Sequence, residues 1–356
     1  MGIAIGVLNP WAPQLSPLGH KIFMGVLIAV GLWVFQPGRM PLSIATCLMM
    51  MIFLAFGIGP GVVFTGFTST ALWVLIPALF FGFVLVKTGL GRRIAYWVIK
   101  LFRPSYFGVI TAWVIIGLAL SALTPSITVR IAIITPIAAS CVAICKIREG
   151  SNGNALIMLV AWAMALIPGT GWLTGSLWGP IWMGFFGTTE GLEGMCTFGS
   201  WSHAMLLPMV LLTLLIIGGA YLMLRPEEPI TISRSAFEDE YSKLGPMTTA
   251  EKMSAIILAT CFLLFVTGQL HHIPDAAICL LGLFALTACG VIEAKDLGPG
   301  ISWDLIIFLG GIMGLGAVFA DTGISGWLCS VLTPIVSRLA AHPWLFVMIV
   351  PLILFA

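Results

Sequence analysis

Charge is what this chain has least of. Only 8% of its 356 residues are Asp, Glu, Lys or Arg, and 60% are apolar, whereas a soluble domain carries about 25% charged residues. A water-soluble globular fold is excluded. The 16 basic residues form no dense run and leave a net charge of +2, too thin a field for a phosphate backbone, so no nucleic-acid partner is expected. The eight cysteines lack paired metal-ligand spacing. Cys141 and Cys145 lie four apart in an apolar run, which suits small buried hydrophobes rather than zinc or a disulfide. No basic stretch followed by an apolar run and a small-residue cleavage site opens the chain, so no removable signal peptide is expected. His271, His272 and Asp275 share one short turn with no nucleophile motif nearby, and no enzyme is expected.

What the sequence has is apolar length. Mean hydropathy is +1.10, and the length allows on the order of ten crossings at about 20 apolar residues each. Runs long enough to cross, or nearly so, lie near 20–36, 41–57, 71–88, 201–224, 253–270, 275–292, 302–320 and 343–356. The expected fold class is an all-α polytopic membrane protein, multi-pass in a cell's inner membrane. Two further runs are interrupted. The run 107–146 is broken by the small, polar stretch Ser121 to Thr128, which contains Pro125, and the run 154–187 is broken by Pro168 to Ser176. Broken backbone at membrane depth leaves amides and carbonyls unpaired unless they face protein, water or a ligand. These breaks are the first candidates for a site.

Loop charge fixes the orientation, because cytoplasmic loops collect Lys and Arg. With the segment after the third span inside, Arg39, Lys87, Arg92, Arg93, Lys100, Arg103, Lys146, Arg148, Arg225, Arg234, Lys243, Lys252 and Lys295 all fall inside. Only Lys21 and Arg338 fall outside, and Arg130 lies within the membrane. Arg103 and Lys146 share a side only if 107–146 crosses twice or not at all, and a re-entrant hairpin dipping in from the cytoplasm satisfies that. Residues 89–102 carry Arg92, Arg93 and Lys100 among Ile94, Trp97, Val98 and Leu101, the pattern of an interfacial amphipathic helix or of a short loop helix. The hydrophilic stretch 225–252 reads as a connector.

The segment Gly82 to Leu90 returns as Gly316 to Ile324 at an offset of 234 residues, each copy passing through Thr-Gly into a second helical stretch. An odd number of crossings between the copies inverts one relative to the other, and inverted repeats with broken helices are the architecture of many secondary transporters. The expected organisation is N-terminal spans 1–57, a first repeat 58–224 holding both interrupted segments, the connector 225–252 and an incomplete second repeat 253–356. The same offset places a second copy of the Ser126–Thr128 break near position 360, past Ala356, so one complete binding-hairpin motif is expected here and the C-terminal one is not.

Arg130 is the most informative residue, since arginine at membrane depth costs several kcal/mol and is retained for a pathway, a partner or a ligand. The alternative is an arginine snorkelling from the hairpin to the interface. Ser126 and Thr128 precede the helix expected from Val129, where they either cap it or expose its amides to an anion. Thr170, Thr174 and Ser176, with the carbonyls around Gly169, Gly171 and Gly175, form either an oxygen set suited to sodium or a glycine hinge.

The run Thr124-Pro125-Ser126-Ile127-Thr128-Val129-Arg130 with Pro136 downstream resembles the Pro-Ser-Asn-Thr-Ala-Arg signature of the divalent anion/sodium symporter family, in its citrate and 2-oxoglutarate/malate translocator-like branch. The run Gly169 to Gly175 resembles that family's unwound helix. The resemblance implies an elevator-type, inverted-repeat transporter and a homodimer, moving a dicarboxylate, tricarboxylate or sulfate-like anion with Na+ as coupling ion. It makes Ser126 and Thr128 substrate or sodium contacts and puts Gly169, Thr170 and Thr174 at a sodium site; with the residues read directly, the expected substrate-binding set is Ser126, Thr128 and Arg130 and the expected sodium set is Ser126, Gly169, Thr170, Gly171 and Thr174, with no other metal or cofactor. Ile127 stands where the family has asparagine, which removes one amide from the tip. The alternatives are a permease of another ion-transporter family, or a non-transporting fragment that needs a partner chain.

Overall fold

The computed structural model describes residues 8, 10–12, 14–187, 191–192, 196–230 and 235–340. Its helices are α1 (Pro17–Phe35), α2 (Leu42–Ala55), α3 (Pro60–Val63), α4 (Thr70–Lys87), α5 (Leu90–Leu101), α6 (Tyr106–Leu123), α7 (Ile127–Ile144) and α8 (Asn152–Leu166). They continue with α9 (Trp178–Gly187), α10 (Phe198–Met223), α11 (Ser235–Ser242), α12 (Thr249–Val266), α13 (Gly268–His271), α14 (Asp275–Ala288), α15 (Trp303–Asp321) and α16 (Ile324–Ala340). No strand occurs among the described residues, and eight of their helical segments are long and apolar enough to cross a membrane. The chain is an all-α, multi-pass membrane protein. The apolar run expected at 343–356 lies outside the described residues.

Helix starts follow local chemistry. Ser16, Ser105, Ser126 and Ser151 each accept an N–H from the first turn of α1, α6, α7 and α8, and Thr197 and Thr248 open α10 and α12 with reciprocal capping boxes. Each cap satisfies donors that a helix end leaves unpaired, which matters most where lipid offers no substitute.

Two compact units form, Met1–Ser69 with Asp304–Ala356, and Thr70–Trp303. In the first, α1 packs on α2 over Ile22, Met49 and Phe53, all buried. The Asp304 carboxylate accepts the Ser43 N–H at the start of α2 (2.8 Å). In the second, α8 packs against both α6 and α7, and α4 packs against α14. The core runs through Trp113, Ile116 and Leu120 of α6 and Leu156, Ile157 and Val160 of α8.

The basic loops of the second unit gather at one end. Lys87 bonds Asp296 (2.5 Å) and the Val291 carbonyl (2.9 Å). Arg93 pairs with Glu251 (2.8 Å), and Arg148 pairs with Glu227 (2.8 Å). Lys100 lies 3.6 Å from the centre of the Tyr241 ring. Loops on both sides of the α6–α7 segment thus reach one connector, which two full crossings and a re-entrant hairpin both allow, α6 and α7 each being 18 residues long. Helix α5 forms where the amphipathic pattern expects it, but Arg93, Tyr96, Val98 and Ile99 are buried, because the Tyr96 hydroxyl reaches Ser140 of α7 (3.3 Å) and Arg93 reaches the connector.

The repeated segment folds alike in both copies. Thr88 and Thr322 donate their hydroxyls to Val84 O (2.8 Å) and Val318 O (2.7 Å). Gly89 and Gly323 follow with φ of 80° and 75°, the left-handed conformation that ends helices at glycine. Arg93 N–H and Trp327 N–H then bond the carbonyls of those glycines, each at 3.1 Å.

Candidate functional site

Helix α6 stops at Leu123 and α7 starts at Ile127, leaving Thr124-Pro125-Ser126 as the hairpin tip. Ser126 caps α7 through Oγ, which accepts the Val129 N–H (3.3 Å), while its own N–H donates to Thr124 Oγ1 (3.2 Å). Thr128 is no cap, because the helix begins one residue before it. It sits exposed in the first turn, and its hydroxyl has no hydrogen-bond partner among the described residues. The tip rests on α4 at Gly82, where a Cβ would lie 2.2 Å from Thr124 Oγ1.

Arg130 is fully buried (0% exposed), so the snorkelling alternative fails. Its Nε donates to the Ala165 carbonyl at 2.6 Å, and Nη1 donates to the carbonyls of Thr124 (2.6 Å) and Gly175 (2.7 Å). One guanidinium therefore joins the hairpin tip to both sides of the broken helix. The physical reason is donor supply: helix breaks strand carbonyls at a depth where water cannot reach them, and guanidinium is the side chain with five fixed donors and no acceptor. Nη2 is buried without a partner among the described residues. A Cβ at Gly169 would lie 2.5 Å from Nη2 and 2.3 Å from the Gly175 carbonyl, so only glycine lets the break close over the guanidinium.

Past Leu166 the chain runs through two short 3-10 turns, Ile167–Gly171 and Leu173–Gly175, before α9. Two hydroxyls beside Gly175, Thr174 Oγ1 and Ser176 Oγ, are buried without hydrogen-bond partners among the described residues. Thr170 is engaged elsewhere: its hydroxyl donates to Ile167 O (2.8 Å), and its carbonyl accepts from Trp201 Nε1 of α10 (3.0 Å). Gly171 also turns to α10, where an added Cβ would lie 2.9 Å from Met209 Cε. The five residues named for sodium thus divide. Gly169 is on the Arg130 side, Thr174 is an unpartnered neighbour of the Gly175 carbonyl held there, Thr170 and Gly171 face α10, and Ser126 is the cap of α7. Sequence reasoning missed that Arg130 holds the carbonyls of Thr124, Ala165 and Gly175. The available signal was the match between one buried five-donor side chain and two stretches of broken backbone.

The fold and these breaks define a polytopic all-α membrane protein whose unpaired backbone is collected at one buried junction. The chain belongs to the family described as the sodium:sulfate symporter transmembrane region, whose model matches residues 3–356. This is a family of transporters. It is 28% identical to a membrane protein of Cupriavidus necator over 81% of this chain and 56% of that protein. It is 26% identical to dicarboxylate transporter 1, chloroplastic, of Spinacia oleracea over 78% and 49%. It is 24% identical to the inner membrane protein YbhI of Escherichia coli over 90% and 69%. The chain spans about half the length of the first two of these relatives.

Proposed function

We propose that the protein is a secondary active transporter of small di- or tricarboxylate- or sulfate-like anions in a cell's inner membrane. The carrying observation is the Arg130 junction, where a hairpin tip and a broken helix meet around one buried cation. The anion would meet the start of α7, where the Thr128 hydroxyl is exposed and the first amides of the helix are available. Ser126 holds that turn in shape. Arg130 acts from behind the tip: its three bonded carbonyls fix its position, and its charge raises the potential at the tip. The unpartnered hydroxyl of Thr174, with that of Ser176, supports a cation or a water held beside Gly169, and sodium is the coupling ion proposed there; Ser126, Thr170 and Gly171 are engaged elsewhere and stand outside that site. The repeated Thr-Gly corners at 88–89 and 322–323 support an inverted-repeat, elevator-type mechanism, and a homodimer is proposed with it. The spinach relative's name, dicarboxylate transporter, supports a dicarboxylate as first substrate to try.

One observation favours a second reading. The guanidinium already occupies the carbonyls of Thr124, Ala165 and Gly175, so a fixed cation stands in a cage that would suit a mobile one. That favours sodium-independent exchange. Proteoliposome uptake of radiolabelled malate, citrate and sulfate, with and without a sodium gradient and with and without internal anion, separates the two. Uptake that needs sodium and is lost in Thr174→Ala supports symport. Uptake that needs only internal anion supports exchange. Wild-type uptake in both Thr128→Ala and Thr174→Ala would overturn the site.

A further inference from the structure

We propose that a cavity of about 470 Å³ beside α5 binds the phosphate headgroup of an anionic phospholipid, with Arg92 as its cationic contact and the exposed apolar edge of α4 and α7 as the seat of the acyl chain. The inference rests on membrane embedding and on the cavity, and it is independent of the transport reading.

The argument starts from two adjacent arginines with opposite fates. Arg93 is buried and fully engaged: Nε and Nη2 meet the Glu251 carboxylate (2.8 and 3.2 Å), and Nη1 and Nη2 hold the carbonyls of Gly245, Leu244 and Pro246. Arg92, one residue earlier on the same helix, is exposed, lines the cavity, and has no hydrogen bond or ion pair among the described residues. Since Arg93 and Glu251 cancel, the cavity keeps one uncompensated positive charge.

Of its other polar groups, Glu251 is neutralised by Arg93 and the Thr88 hydroxyl donates to Val84 O (2.8 Å), which leaves Thr248 as the free donor. Thr248 Oγ1 accepts the Glu251 N–H (3.2 Å), which leaves its own proton free to donate. The apolar wall is Leu85, Val86, Ala132, Ile133 and Pro136. Val86 is 51% exposed, and Ala132 and Pro136 are exposed on α7. A phospholipid carries the same two parts, a charged head and an apolar chain. The cavity also lies at the end of this unit where the basic loops gather. Basic pockets between spans on the cytoplasmic side are where anionic lipid headgroups bind, and each Lys or Arg near that surface attracts them measurably.

The test is native mass spectrometry of the purified chain in detergent, with phosphatidylglycerol and phosphatidylcholine supplied at equal concentration. Wild type is expected to retain phosphatidylglycerol about fivefold over phosphatidylcholine, the factor one cation near an anionic headgroup supplies. Arg92→Gln should bring the ratio to about one, and Ala132→Trp should displace the lipid while leaving Arg92 in place. Arg225→Gln, which removes an equal charge away from the cavity, should change nothing. Equal retention of both lipids by wild type, an unchanged ratio in Arg92→Gln, or full displacement of the lipid by millimolar inorganic phosphate would overturn the proposal. The last outcome would identify a site for a free anion.

Discussion

Removing the Arg93 guanidinium should cost the protein a large part of its stability, and the structure fixes how much. Side-chain exposure is 8% for Arg93 and 6% for Glu251, so Arg93→Met leaves a nearly buried carboxylate that still accepts the Thr248 N–H (2.8 Å). Breaking one side of a buried pair typically costs about 3–5 kcal/mol. The cavity next to the pair admits water, which places the expectation at the low end, about 3 kcal/mol or roughly a hundredfold in the unfolding constant. Glu251→Gln keeps the N-terminal capping box of α12, where Gln serves as well as Glu, and so isolates the charge. The assay is equilibrium unfolding in mixed micelles of wild type, both single variants and the double variant, read as a double-mutant cycle. Arg93→Met with Glu251→Gln should lose less than the sum of the singles, by about 2 kcal/mol or more, because the double variant leaves no stranded charge. A coupling below about 0.5 kcal/mol would refute the reasoning, since the pair would then behave as an exposed one.

The Lys87 side chain holds the Asp296 carboxyl below its ordinary value. Its stabilising contribution is therefore complete at neutral pH and is lost as pH falls below the usual carboxylate range near 4. Amide protection factors in residues 291–297, with the intrinsic pH dependence of exchange divided out, should fall on acidification in wild type and lose that dependence in Asp296→Asn; identical protection profiles would contradict the tie. Gly82→Ala sets a Cβ 2.2 Å from Thr124 Oγ1 and should displace the hairpin tip, abolishing uptake while leaving membrane insertion intact; Gly218→Ala, where nothing lies within 4 Å, is the control and should transport normally. Gly169→Ala should be worse than Gly82→Ala in thermal stability, because its neighbours are the buried Arg130 guanidinium and a backbone carbonyl, neither of which can move aside; equal melting temperatures would count against the junction.

Much of the fold was legible because lipid imposes strict rules on sequence. Apolar runs located the spans within a few residues: 71–88 against Thr70–Lys87, and 302–320 against Trp303–Asp321. Loop charge went further. Lys87, Arg93, Lys100 and Arg148, assigned to one side by composition alone, are the residues that tie the loops of one end together. The repeated Thr-Gly segment carried its own geometry, because left-handed φ after a helix is a glycine property that travels with the sequence. The polar breaks were visible for the same reason. Proline and glycine interrupt helices wherever they are placed, and in lipid the interruption has to be answered.

Partnership was not legible. The carbonyls of Thr124, Ala165 and Gly175 lie 6, 35 and 45 residues from Arg130, and no periodicity links positions on three separate segments. Sequence could say that an arginine at depth needs compensation, yet the compensation found is backbone rather than a carboxylate or a bound anion, and backbone carbonyls are present at every residue. The same limit separates Arg92 from Arg93. On a helix of about 100° per residue, neighbours point in different directions, so two adjacent arginines with the same side chain and the same nominal charge end in opposite states, one buried against Glu251 and one open to the cavity. Which of the two faces the connector depends on the rotation of α5, and that is set by the Tyr96–Ser140 contact with α7 and by the Thr88-Gly89 corner that launches the helix. Changing the corner should therefore exchange the roles: a residue inserted between Gly89 and Leu90 would turn α5 by about 100°, carrying Arg92 toward Glu251 and Arg93 away from it. In the insertion variant Arg92→Gln should then strand Glu251 and cost about 3 kcal/mol in the same unfolding assay, as Arg93→Met does in wild type. An insertion variant indifferent to Arg92→Gln but still sensitive to Arg93→Met would show that the corner does not set the rotation of α5.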